Sequence, residues 1–143
     1  MSGSLLEFAS AMQGSLHADF TPKHVRKTMR IVGADVRKNA RRLVARRAIS
    51  HAGQYPGMVT GELMRSIQAH VSRSGWSVRI ASYRTARMKA KNAFYPAYLV
   101  YGTSHGIAPR KDWIDAAHEA RTPWIQQVVS TALLDGVEVE VTK

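Results

Sequence analysis

One apolar stripe dominates the first third of this chain. Its members recur every three or four residues, which is the spacing of one face of an α-helix: Val25, Met29, Val32, Val36, Ala40, Leu43 and Val44. Thr21 and Pro22 stand just before it, and these residue types favour the N-cap and the first position of a helix. We therefore predict a helix over residues 21–52. At about 1.5 Å per residue it would be roughly 45 Å long, so we expect one end to contact a neighbour or to project.

The polar surface of this predicted helix is basic almost throughout, with Asp35 as its one acid. Like charges spaced four residues apart repel one another, so we expect a counter-charge, either from a partner's acidic surface or from a phosphate backbone. A solvated face without any partner is the alternative interpretation. The residues of this helix that we expect to face an interface or DNA are Arg37, Arg41, Arg42, Arg46 and Arg47.

The whole chain is basic as well. It carries 21 Lys and Arg against 10 Asp and Glu, a formal net charge of +11. This charge favours a polyanion nearby, although a solubilising surface would give the same total, and no recognisable DNA- or RNA-binding motif accompanies it. With 143 residues, 45% of them hydrophobic, the chain is predicted to form a single domain over residues 1–143.

Shorter patterns predict the other elements of the N-terminal two thirds. Residues 4–20 predict a short amphipathic helix. Residues 60–82 predict a helical turn, capped by Thr60, and then a β-hairpin that turns at Ser74 and Gly75. Residues 83–93 predict an exposed basic loop. This loop contributes the remaining candidate contact residues, which are Arg84, Arg87, Lys89 and Lys91.

The C-terminal third combines aromatic and alternating patterns. Residues 94–134 predict an aromatic segment, either strand or short helix, and then a C-terminal helix that Pro123 kinks or breaks near Arg121. Residues 136–141 alternate strictly between apolar and other residues and predict a final strand. The predicted fold class is therefore α+β, in which a long N-terminal basic helix and a C-terminal helix pack on a small antiparallel β-sheet.

The sequence shows no catalytic arrangement. Asp112, Asp115 and His118 are spaced like metal ligands on a helix, but 3.6-residue geometry fans them apart, so helix capping is the preferred interpretation. Ser104 and His105 are adjacent, and adjacent residues rarely face each other as nucleophile and base. The chain also has no cysteine. We predict that it is not an enzyme and that it has no cofactor and no metal site.

Three motifs follow one another in a fixed order. Residues 60–67 read Thr-Gly-Glu-Leu-Met-Arg-Ser-Ile, residues 98–103 read Tyr-Leu-Val-Tyr-Gly-Thr, and residues 108–114 read Ala-Pro-Arg-Lys-Asp-Trp-Ile. In this order they resemble the tail-completion and minor tail-component family of long-tailed bacteriophages. That family has Thr-Gly-x-Leu-x-x-Ser-Ile, then an aromatic segment ending in Gly-Thr, then Ala-Arg-Pro-Phe. Here Pro109 and Arg110 are exchanged relative to the family, and Trp113 stands for Phe.

The resemblance implies a small α+β subunit that assembles as a ring in the virion neck or at the top of the tail. Such a ring completes or terminates the tail tube and joins it to the head, after assembly in the host cytoplasm. A hexamer is favoured, with a dodecamer as the alternative. The implied partners are neighbouring neck and tail-tube proteins and packaged DNA, which passes through the lumen without sequence specificity; no membrane contact is expected.

The motif residues then have structural roles, and we expect Tyr98 and Tyr101 to be at least partly buried. The expected structural set is Thr60, Gly61, Leu63, Ile67, Tyr98, Tyr101, Gly102, Thr103 and Trp113. Two other functions stay open. One is a head-side connector, an adaptor or a stopper. The other is a basic nucleic-acid-binding protein, which salt-dependent binding to DNA as a free monomer would favour.

Overall fold

The computed structural model describes residues 17–20, 22–135 and 137–140. Its helices are α1 (Pro22–Leu43), α2 (Glu62–Ser66), α3 (Ala86–Ala90), α4 (Tyr95–Tyr101), α5 (Trp113–Glu119) and α6 (Thr122–Asp135). Its strands are β1 (His17–Phe20), β2 (Ile67–Val71), β3 (Val78–Ser82) and β4 (Val137–Glu140). The predicted α+β class is confirmed.

Helix α1 forms one wall of the hydrophobic core. The predicted stripe faces inward, and Val25, Val32 and Val36 are at most 3% exposed. The helix packs against the hairpin strands β2 and β3 and against α5 and α6. The core is completed from the other elements by Leu63, Ile67, Leu99, Trp113 and Ala117.

The C-terminal bound predicted for the long helix is wrong. Helix α1 ends at Leu43 and is 22 residues long, about 33 Å. Beyond it, the carbonyl oxygen of Arg46 accepts hydrogen bonds from the backbone N–H groups of Ala48 (3.0 Å) and Met58 (2.8 Å). These bonds fold residues 46–58 back on themselves instead of continuing the helix.

The predicted hairpin is confirmed. Strands β2 and β3 pair antiparallel, with Ile67 opposite Ser82 and Val71 opposite Val78. Helix α1 approaches this hairpin closely at Gly33, because a Cβ atom there would lie 2.7 Å from Cγ2 of Val78. A side chain at this position would therefore push the helix away from the sheet.

A second two-stranded sheet joins the two ends of the described chain. Strands β1 and β4 pair antiparallel, with His17 opposite Glu140 and Phe20 opposite Val137. The final strand predicted for residues 136–141 is thus confirmed over Val137–Glu140. The helix predicted for residues 4–20 is wrong at its last four residues, which are strand; residues 4–16 lie outside the described part. Periodicity could not reveal this strand because its partner is remote in sequence.

The loop predicted for residues 83–93 is also wrong in part, since it contains α3. The Thr85 hydroxyl caps this helix by accepting a hydrogen bond from the N–H of Met88 at 3.3 Å. Met88 is buried, at 5% exposure. Between α5 and α6 the helix breaks at Ala120 and Arg121, as Pro123 predicts, because a proline is tolerated in the first turn of a helix and not in its interior.

Candidate interaction surface

A basic stripe runs along the solvent side of α1, in two groups separated by residues 31–36, which carry no cation. At 100° per residue, its cations lie on the side of the helix opposite Val25, Val32 and Val36. We define the basic stripe as Lys23, Lys27, Arg30, Arg37, Lys38, Arg41 and Arg42. Arg37 and Arg41 are partly buried and the other members are exposed. From Lys23 to Arg42 the stripe spans about 29 Å.

The C-terminal half of this stripe borders a groove of about 470 Å³ between α1 and α2. Four of its lining residues are cations, and no lining residue is acidic or aromatic. We call it the basic groove, and its lining residues are Ala34, Arg37, Lys38, Arg41, Arg42, Ala45 and Met64. The predicted contact residues Arg37, Arg41 and Arg42 are therefore brought together. Lys38 was not among the predicted contact residues, although Lys38 and Arg42 are four residues apart, as Arg37 and Arg41 are.

Arg41 is held in a fixed position in the groove. Its Nη2 donates a hydrogen bond to the carbonyl oxygen of Ile67 at 2.9 Å. Its Nε atom is buried and makes no hydrogen bond. Burial lowers the pKa of Arg41 from its usual value, and the nearby positive charge of Arg37 lowers it further. An arginine stays protonated in proteins, so the groove holds a charge whose environment does not compensate it.

The one acid of α1 points to a different contact. Oδ2 of Asp35 accepts hydrogen bonds from Nε of Arg121 at 2.6 Å and from Nδ2 of Asn39 at 3.1 Å. Asp35 thereby ties α1 to the junction between α5 and α6. It does not line the basic groove, so the groove cations lack a carboxylate from their own helix.

The other predicted contact residues lie elsewhere. Arg46 and Arg47 follow the end of α1 and are exposed. Arg46 lines a separate cavity of about 540 Å³, together with His51 and Lys111. In and around α3, the exposed cations are Arg84, Arg87, Lys89 and Lys91. None of these six residues lines the basic groove.

The motif at residues 60–67 has a packing role. Leu63 and Ile67 are buried in the core, whereas Thr60 is exposed. The N-cap position of α2 is held by Gly61, with φ of 73°, and not by Thr60. The predicted contribution of Thr60 is present in part, because its hydroxyl accepts a hydrogen bond of 3.5 Å from the N–H of Glu62, the first residue of α2. The motif also supplies, through the carbonyl oxygen of Ile67, the acceptor that positions Arg41.

Glu62 makes a contact that the sequence did not predict. Its carboxylate accepts hydrogen bonds from Oγ1 of Thr85 at 2.6 Å and from Nη1 of Arg65 at 2.8 Å. These bonds, with that from Thr85 first, hold the pKa of Glu62 below its usual range. The Thr85 hydroxyl also caps α3, so this cluster fixes α2 to α3. The one sequence signal that could have revealed this contact is Thr85, a residue type that favours the N-cap, directly before α3.

The aromatic segment turns outward instead of inward. Helix α4 buries Pro96 and Leu99, which leaves Tyr98 44% and Tyr101 82% exposed. The expected burial is therefore wrong for Tyr101, and Tyr98 is only about half covered. The 3.6-residue period explains the result, because a helix of seven residues can bury only one of its faces.

Gly102 and Thr103 form the turn that ends α4. Gly102 has φ of 75°, and a Cβ atom there would lie 2.7 Å from the carbonyl oxygen of Ile107. The backbone N–H of Thr103 donates to that same oxygen at 2.9 Å. Trp113 begins α5 and is 1% exposed, so its predicted structural role agrees with its position.

Asp112 is a helix cap. Its Oδ1 accepts hydrogen bonds from the backbone N–H groups of Ile114 (2.8 Å) and Asp115 (3.1 Å). Among residues 17–20, 22–135 and 137–140, no cluster of three or more His, Cys, Asp or Glu side chains could hold a metal ion. Over the same ranges, no helix is both long and apolar enough to cross a membrane.

The geometry thus leaves two surfaces of distinct chemistry. One is the basic stripe with its groove on α1, and the other is the exposed tyrosine face of α4. We found no protein-family model, curated protein or solved structure that matches this chain.

Proposed function

We propose that this chain is a structural protein of a bacteriophage virion, located in the neck or tail. Copies of it assemble as a ring, with a hexamer favoured, which completes or terminates the tail tube and joins it to the head and to the neighbouring neck and tail-tube proteins. Packaged DNA passes through the lumen of this ring. The proposal is supported by the order of the three sequence motifs and by the packing roles of Leu63, Ile67 and Trp113.

The exposed tyrosine face of α4 is the observation on which the ring depends most. Tyr98 and Tyr101 lie one helical turn apart, and the turn at Gly102 brings the 40% exposed Ile107 next to the end of the same helix. Tyrosines are enriched in protein interfaces because they contribute a large apolar area and a polar tip. In a ring with heterologous contacts, each subunit uses two different patches, and this face provides one of them.

The oligomeric state of the full chain tests the proposal. Native mass spectrometry and negative-stain electron microscopy should detect a closed ring of defined copy number. The double variant Tyr98→Ser/Tyr101→Ser should shift the ring toward monomers. Val59→Ser, which alters a 92% exposed side chain outside this face, should leave the ring intact. A wild-type chain that stays monomeric at every concentration contradicts the proposal.

The basic stripe favours a second candidate, a nucleic-acid-binding protein that acts as a monomer. Seven cations on one face of a helix form an electrostatic footprint typical of such proteins. The same mass measurement separates the two candidates. Salt-dependent DNA binding by a chain that never assembles supports the second candidate, whereas a ring supports the first.

A further inference from the structure

The basic groove concentrates positive charge that the protein itself does not neutralise. Arg37, Lys38, Arg41 and Arg42 line one cavity, and the α1 carboxylate, Asp35, is engaged by Arg121 outside it. Two of the four cations, Arg37 and Arg41, are partly buried. Bringing like charges together in a partly desolvated position is unfavourable unless an anion compensates them.

Arg41 is the groove cation whose position is fixed by the protein. One of its Nη atoms is occupied by the carbonyl oxygen of Ile67, which fixes the guanidinium group against the α2–β2 junction. A fixed guanidinium is pre-organised, so a ligand anion loses little of its binding free energy in ordering it. The exposed side chains of Lys38 and Arg42 can then adjust around the bound group.

The lining of the groove distinguishes among anions. Its apolar residues are Ala34, Ala45 and Met64, and no aromatic side chain is present to stack on a base or to anchor a protein partner. The basic stripe also extends beyond the groove along α1 to Lys23, and its whole length from Lys23 to Arg42 is about 29 Å. A ligand with regularly repeated charges matches this length better than a single acidic side chain does.

We propose that the basic groove binds the phosphate backbone of nucleic acid, with Arg41 as a fixed anchor and Arg37, Lys38 and Arg42 as additional phosphate contacts. Binding is independent of base sequence, because every contact is a phosphate contact. The inference rests on the proposed function for the source of the nucleic acid, which is the packaged DNA. It assigns the DNA contact to α1 and not to the cations around α3.

The test compares two triple variants of the full chain that lose the same charge. The groove variant is Arg37→Gln/Lys38→Gln/Arg42→Gln, which leaves Arg41 and its bond to Ile67 intact. The control variant is Arg84→Gln/Lys89→Gln/Lys91→Gln, on the exposed surface around α3. Binding to a labelled DNA duplex of random sequence is measured by fluorescence anisotropy over a series of salt concentrations. Circular dichroism checks that both variants are folded.

The groove variant should bind at least about tenfold more weakly, and its slope of log affinity against log salt should be smaller by about 2 to 3, one per lost phosphate contact. The control variant should lose less than about threefold. Equal losses in the two variants, or no loss in the groove variant, overturn the proposal. So does a polyglutamate peptide that competes with DNA for the groove as strongly as unlabelled duplex.

Native mass spectrometry of the same groove variant separates this inference from the proposed function. A groove variant that still forms the ring but loses DNA supports the inference. Unchanged DNA binding by that variant overturns the inference and leaves the ring proposal standing. A wild-type chain that binds DNA through the groove but forms no ring supports the inference alone.

Discussion

Arg41 and Ile67 are joined across 26 positions of the chain by a hydrogen bond of 2.9 Å from Nη2 to the carbonyl oxygen. This bond attaches the C-terminal half of α1 to the point where α2 passes into β2. Arg41→Lys keeps the charge but replaces the planar guanidinium by a compact ammonium group on a different stem. We expect the free energy of unfolding to fall by about 1 kcal/mol, measured by urea denaturation.

Arg42→Lys is the matched control for that substitution. Arg42 is exposed and has no described bond of this kind, so its replacement should change stability by no more than about 0.5 kcal/mol. Equal effects of the two substitutions would show that the bond to Ile67 contributes nothing.

The Glu62 carboxylate should make the stability of the α2–α3 contact depend on pH in the acid range. Because hydrogen bonds from Thr85 and Arg65 lower the pKa of Glu62 in the folded chain, its ionised form stabilises the fold above the unfolded pKa of about 4.3. That contribution disappears as the pH falls through the lower, folded pKa. In Glu62→Gln we expect the melting temperature to depend less steeply on pH below about 4.3. Identical slopes for wild type and variant would contradict this.

Thr85→Val provides a second measurement on the same contact. It removes the hydroxyl that donates to Glu62 and that also accepts from the N–H of Met88. The acid dependence should flatten as in Glu62→Gln. In addition, stability at neutral pH should fall by about 1 kcal/mol, since a helix cap is lost.

Gly102 occupies a position that no other residue type fits. Its φ is 75° and its ψ is −179°, a region that is essentially restricted to glycine. Gly102→Ala would also place Cβ 2.7 Å from the carbonyl oxygen of Ile107. We expect a loss of about 2 to 4 kcal/mol, from backbone strain together with this clash. In Gly53→Ala, where φ is 72° and nothing lies within 4 Å, the loss should be about 1 kcal/mol.

Trp113 should be the most sensitive core position on the C-terminal helices. It is 1% exposed and packs in the core with Ala117 and with the apolar residues of α1. Trp113→Ala should cost about 3 to 5 kcal/mol in chemical denaturation, because it leaves a large cavity. Its indole nitrogen is buried without a hydrogen-bond partner. Trp113→Phe therefore loses no hydrogen bond and should cost clearly less; equal losses would contradict this account.

Local sequence patterns correctly predicted the elements that bury one regular apolar face. The apolar stripe of α1 repeats over five turns, and burial of Val25, Val32 and Val36 follows directly from it. The hairpin could also be predicted, because apolar and polar residues alternate in β2 and β3 on both sides of a short turn at Ser74 and Gly75. Both patterns report a period, and a period is a property of neighbouring residues.

The elements that were mispredicted depend on contacts made at a distance. Nothing near Leu43 in sequence shows that the carbonyl oxygen of Arg46 will accept a hydrogen bond from Met58. Helix α3 buries only Met88 and is surrounded by cations, so its composition is that of a loop. The orientation of α4 could not be predicted either, because its tyrosines lie on one side while Pro96 and Leu99 lie on the other, and either side is apolar enough to be buried.

The candidate site was predicted in part for the same reason. Arg37, Arg41 and Arg42 belong to one helix, and helical geometry brings them together. Arg46 and Arg47 extend the same run of charge in the sequence but follow the end of the helix, and they face elsewhere. The role of Ile67 in positioning Arg41 involves a backbone oxygen, which no side-chain motif can report.

The pairing of β1 with β4 has a consequence for the order of folding. The ladder joins His17 to Glu140, so it closes a loop of more than a hundred residues and is only four residues long on each strand. The entropy of closing so long a loop is lost before any contact in the ladder compensates it. We expect this small sheet to form last and to open first. Amide hydrogen exchange should accordingly be faster in residues 17–20 than in α1, and we expect this ladder to be the least stable unit of the described part of the chain.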